Sequence, residues 1–280
     1  MLYSKGDFFI LRKHTVQFIL NYFIFASYFY VLPILIQMND ILRFVHLVMF
    51  FPLAFFLTKK WSGKGLDSYG IVFFQGWQRN LMLGFLIGAA GWALLFFLRI
   101  VLGDYHITGI KSGVEAAPIL VVVFVGYGLG SIINDVIVRG LVFHFYRNRL
   151  SFKALMLLSV VVYAADDSWN EGFSISNTFF SVALGFSLAY AFYKTHSIWA
   201  DTGIHLGLNV IYGLFYGVSG NRGDGIFLFQ VHSSSNLLLG SWLSTITAAL
   251  IFLALYLFIH SFRIPSKIEP LTNRIEKSAI

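Results

Sequence analysis

The sequence predicts an all-α protein, a polytopic bundle of about eight transmembrane helices. Three observations predict it. Hydrophobic residues make up 58% of the 280 positions and charged residues only 12%, far from the balance of a soluble domain. Apolar stretches of about 20 residues, long enough to cross a hydrocarbon core at about 1.5 Å per residue, recur along the chain. The basic residues collect in alternate connecting segments, as they do when helices cross and recross a bilayer.

Taken in order, the stretches lie at 15–38, 41–57, 80–102, 117–146, 152–167, 177–194, 198–218 and 240–262. The first is too long for the core of a signal peptide and is followed by no small-residue cleavage site, so it is expected to be retained. The fifth is short and the fourth long, which leaves counts of seven and nine open. With a cytoplasmic N-terminus, Lys5, Arg12, Lys13, Lys59, Lys60, Lys64, Arg79, Arg147, Arg149, Lys153, Lys194, Arg263, Lys267, Arg274 and Lys277 all face the cytoplasm. Arg43, Lys111 and Arg222 fall outside, and Arg99 and Arg139 lie within spans. That asymmetry predicts a multi-pass protein of the cell membrane with both termini inside. It also accounts for the net charge of +7 by topology and the anionic inner leaflet, so the expected surroundings are lipid and no nucleic-acid partner is implied.

No stretch reads as a soluble domain and no repeat of fixed period is present. The polar connections are 59–79, 103–116, 167–176 and 219–239, with a Gly-rich run at 219–225 on the outer side. Ionisable groups are scarce in the early spans and concentrated later. The chain therefore divides into N-terminal scaffold helices at 1–102, a site-bearing core at 103–263 and a cytoplasmic tail at 264–280. Gly126 and Gly130, and Gly213 and Gly217, stand four apart and predict close helix packing. There is no cysteine, which excludes disulfides, thiolate metal sites, a cysteine nucleophile and prenylation of the chain itself.

Polar groups inside the spans carry the functional signal. A charge at the centre of a membrane helix costs about 2.5–3.5 kcal/mol on insertion scales, unless it is paired or faces a wet cavity. Asp135 and Arg139 are four apart and share a helix face, so a structural ion pair accounts for Arg139. "YAADDSWNEG" places Asp166 and Asp167 at the end of the fifth span. Asp201, His205 and Asn209 follow at four-residue steps on one stripe of the seventh. From Arg149 back to Asp135, and from Lys153 to Asp167, is about 21 Å of helix; from Lys194 to His205 is about 16 Å. Three spans thus raise polar groups to a similar depth, and a shared cavity is expected.

The order and spacing of these residues resemble the CPBP (CAAX-protease and bacteriocin-processing, or Abi) family of intramembrane endopeptidases. Asn134-Asp135-x-x-x-Arg139, followed by Gly140, stands where that family has Glu-Glu-x-x-x-Arg. Tyr163-x-x-x-Asp167 stands in place of Phe-x-x-x-His. His205-x-x-x-Asn209, within "SIWADTGIHLGLN", matches the third motif unchanged. The resemblance covers roughly residues 117–215. It implies a CAAX-protease-like core, a membrane-associated peptide or protein as substrate, and site residues Asn134, Asp135, Asp167, His205 and Asn209, with Arg139 structural.

In that family the first Glu and the motif-two His are thought to activate water, and the later His and Asn to hold the oxyanion. A carboxamide takes up no proton near neutral pH, so Asn134 cannot be the base. A carboxylate of Asp135 or Asp167 could be, if burial raised its pKa. Three readings follow: an endopeptidase using such a carboxylate, a catalytically silent member that binds or regulates another membrane protein, and a small proton-coupled transporter using Asp135, Asp167 and His205 as a relay. The transporter ranks last for want of inverted repeats or broken helices. No cofactor is expected. Asp135, Asp167 and His205 make a divalent-metal set on paper, but one well-placed His and no Cys fit zinc poorly.

Overall fold

Each apolar stretch becomes a helix whose ends are set by local chemistry. The computed structural model describes residues 5–232 and 237–265. The tail beyond 265 lies outside the described residues. Helix α1 (Lys5–Ala26) passes through a wide π-type turn at Ser27–Val31 into α2 (Leu32–Ile36). Asn39 caps α3 (Asp40–Ser62) by accepting from the Leu42 amide at 2.9 Å, and Gly63 ends it in the left-handed conformation. Helix α4 (Trp77–Val101) leads to strand β1 (Tyr105–Ile110). The fourth long rod is α5 (Ala116–Asp135), a second π-type turn at Val136–Gly140, and α6 (Leu141–Tyr146). Ser151 and Ser174 cap α7 (Phe152–Glu171) and α8 (Ile175–Thr195). Then come α9 (Trp199–Tyr216), β2 (Phe227–Val231) and α10 (Leu237–Phe258).

The bundle is helical, as expected, and among the described residues six rods are long and apolar enough to cross a membrane: Arg12–Ile36, Asp40–Trp61, Trp77–Val101, Ala116–Tyr146, Ile175–Thr195 and Trp242–Ser261. Helices α7 and α9 complete the bundle with 20 and 18 residues. Their lower apolarity comes from the polar residues that they turn inward. Two boundaries differ from the sequence expectation. Helix α7 continues to Glu171, so Asp166 and Asp167 lie inside the helix and not at its end. Two connections that read as plain loops pair as an antiparallel ribbon, β1 with β2, with an irregularity between Ile107 and Gly109.

The closest helix crossing is one that the glycine spacing in the later spans does not show. Gly84 and Gly88 on α4 face Gly203 and Gly207 on α9, and a Cβ on any of them would run into backbone of the opposing helix. Such glycine faces let backbones meet where lipid gives no hydrophobic drive. Of the glycines singled out in the sequence, Gly213 packs on Val123 and Tyr127, Gly217 turns the chain at φ +64°, and Gly130 faces open space. Replacing Gly207 by Leu is expected to lower thermal stability in detergent by at least the 1–3 kcal/mol typical of overpacking. A melting temperature unchanged from the parent would show that α4 and α9 do not meet there.

Candidate active site

Two adjoining polar layers are built where α5, α7 and α9 come together. The lower one is an ion cluster. Arg139, fully buried, pairs with Asp135 on its own rod and, through Nε, with Asp201 Oδ2 of α9 at 3.1 Å. Its guanidinium also stacks over the Tyr163 ring of α7 at 5.1 Å. The π-type turn starts just after Asp135 and contains Arg139, and Gly140 at its end lets the Tyr69 carbonyl approach: a Cβ there would sit 2.9 Å from it.

Asp135 does not reach the cavity described below. One carboxylate oxygen accepts from the Thr202 hydroxyl at 2.7 Å, and the other meets His205 Nδ1 at 3.0 Å. The carboxylate thus lies behind the imidazole. With Nδ1 donating to Asp135, Nε2 is the ring nitrogen left for the cavity that His205 lines. Tyr163 stands edge-on to the same ring, at 6.5 Å and 90°.

The upper layer surrounds Asp166. Its Oδ2 accepts from Tyr30 at 2.7 Å and from the Asn134 carboxamide at 2.7 Å, and its Oδ1 accepts from Tyr22 at 3.2 Å. Asn134 also donates to the Tyr30 hydroxyl at 2.7 Å. Asp167, about 100° further round α7, turns to α8, where Ser181 donates at 2.5 Å and Asn177 at 3.3 Å. Asn209 donates to Ser131 at 3.2 Å; its second N–H is not used by that bond.

A cavity of about 610 Å³ joins these groups. Asn134, Asp166, Asp167, His205 and Asn209 all line it, as do Tyr30, Arg99, Tyr127 and Ser244. Four of the five candidate residues therefore line one cavity, while Asp135 and Arg139 are not among its lining residues. Sequence spacing did not point to Tyr22, Tyr30, Ser131, Asn177 or Ser181. Tyr22 and Tyr30 come from a helix read as scaffold, and no motif marks a hydroxyl that reaches across 136 or 144 residues of chain. The bonding of Asn134 explains the residue there. A second carboxylate at 2.7 Å from Asp166 would repel it, whereas a carboxamide donates.

The metal set conceivable from the sequence does not assemble. Asp135 is committed to Arg139, Thr202 and His205, and among the described residues no group of three or more His, Cys, Asp or Glu side chains is placed to hold a metal ion.

Residues 115–211 match the family model described as type II CAAX prenyl endopeptidase Rce1-like. This segment is CPBP-like. It runs from the start of α5 to within α9 and contains Asn134, Asp135, Arg139, Asp166, Asp167, His205 and Asn209. No curated protein and no solved structure matches the chain. With its apolar rods, the CPBP-like core makes this a multi-pass integral membrane protein in a lipid bilayer.

Proposed function

We propose that the CPBP-like core is an intramembrane endopeptidase for a membrane-associated polypeptide, with His205 as its base. The contact between Asp135 and His205 Nδ1 carries the reading. A carboxylate behind one imidazole nitrogen fixes the tautomer and leaves the other as the proton acceptor, the arrangement of an oriented general base. Water in the cavity gives its proton to His205 Nε2 as its oxygen bonds to the peptide carbonyl carbon. The oxyanion takes a hydrogen bond from the free N–H of Asn209. The C–N bond then breaks, and the imidazolium returns the proton to the leaving amine. In this scheme Asn134 and Asp166 shape the wall, and the replacement of the family's first Glu by Asn134 does not remove the base.

A second reading, binding without hydrolysis, is favoured by a separate observation. Both positions matching the family's water-activating pair, Asn134 and Asp167, are held in side-chain hydrogen bonds. One experiment separates the two readings. Purified protein in detergent is incubated with a library of single-span peptides and the products are read by mass spectrometry, beside His205→Ala. Cleavage by the parent that is lost in His205→Ala supports the peptidase. Peptide binding with no product from the parent supports the binder.

A further inference from the structure

The two ends of the bundle differ in charge and in access. At one end the basic residues cluster in contact: Arg149 with His14 at 2.7 Å, Arg147 with His196 at 3.1 Å, and the Arg263 backbone clamped on the Asn80 side chain at 2.8 and 2.9 Å. Lys59, Lys60, Lys153 and Lys194 lie at helix termini of the same end. At the other end Arg43, Arg99, Lys111 and Arg222 are offset by Asp40, Asp104, Glu115 and Asp224. The cavity belongs to this second end. Its lining includes Arg99, Tyr127, Ser176, Asn177 and Ser244, and Arg99 pairs with Asp104 at 3.4 Å beside the β1–β2 ribbon. Along the helices, Asp135, in contact with His205, lies about 16 Å from Tyr146 at the basic end, Asn177 about 26 Å from Lys194 and Arg99 about 30 Å from Arg79, against a hydrocarbon core of about 30 Å. The cavity thus has its floor near mid-membrane and its mouth at the poorly basic end.

We infer that the site is entered from the side of the membrane opposite the cytoplasm, and that its substrate is a membrane-associated polypeptide exposed on that side. Basic helix ends stay cytoplasmic, and a mouth at the opposite end is beyond the reach of a polypeptide confined to the cytosol. A cytosolic protein carrying a prenylated C-terminus does not meet this requirement, whatever the family's name records. The polypeptide part of the inference rests on the proposed function; the direction of entry does not.

The chain has no cysteine, so single cysteines report access directly. Ser176→Cys and Ser244→Cys at the mouth, and Lys153→Cys at the basic end, are treated in intact cells with a membrane-impermeant maleimide. Each variant is checked for folding by gel filtration and for total thiol after denaturation. The mouth cysteines are expected to label equally before and after permeabilisation, and Lys153→Cys only after it. The reverse pattern, or mouth cysteines that label only in denatured protein, would overturn outward entry. Adding a synthetic peptide of one apolar span and an extended polar flank to the outside is expected to slow labelling of Ser244→Cys. Labelling that the peptide leaves unchanged would retain the entry side and overturn the polypeptide occupant.

Discussion

Asp135→Asn is expected to lower peptide cleavage by about 10²–10⁴, although Asp135 does not line the cavity and its polar contacts are with Arg139, Thr202 and His205. The carboxamide keeps the shape but can present its NH₂ to Nδ1, which selects the tautomer with the proton on Nε2 and removes the base. His205→Ala should abolish the same activity, and Asn209→Ala should cost about 10²–10³ through loss of the oxyanion donor. Asn134→Ala, by contrast, removes a wall contact and leaves chemistry at His205 in place. Rates of single-turnover cleavage, with folding checked by gel filtration and helicity, decide the matter. An Asp135→Asn variant as fast as the parent would remove His205 as the oriented base. The complementary change restores the family's first Glu and its motif-two His: Asn134→Glu with Asp167→His. Because Asn134 donates to Asp166 at 2.7 Å, the new carboxylate would meet a second one. A working restored site is expected only when Asp166→Asn is added.

The largest expected effect on stability lies one layer lower. Arg139→Leu is expected to destabilise the fold by about 3–5 kcal/mol, because it leaves buried carboxylates without their cation. Asp135 and Asp201 are both fully buried, so neither can turn to water instead. Arg139→Leu combined with Asp201→Leu should recover part of the loss, since removing both members of a buried pair costs less than removing one. Unfolding in detergent, followed by helical circular dichroism, measures both. An Arg139→Leu variant that melts with the parent would show the cluster to be dispensable.

By itself the sequence determined the helical membrane class and placed most of the rods, because the bilayer requires long apolar segments and backbone hydrogen bonds closed within each helix. It also brought forward Asn134, Asp167, His205 and Asn209, since charged or amide groups amid Leu, Val and Phe are costly and stand out at helical spacing. Tertiary structure alone decided what each of them faces. Asp135 and Asn134 are neighbours, yet the helix turns one carboxylate beneath His205 and the other side chain towards Asp166. Asp166 and Asp167 diverge in the same way, one to tyrosines of the first rod and the other to Ser181 and Asn177 on α8. A step of about 100° per residue separates such neighbours, but which helix occupies each direction follows from packing. That packing turns on the α4–α9 glycine crossing, whose two halves are more than 100 residues apart in the chain. Periodicity within one helix does not encode which partner it meets; complementary surfaces from distant segments do.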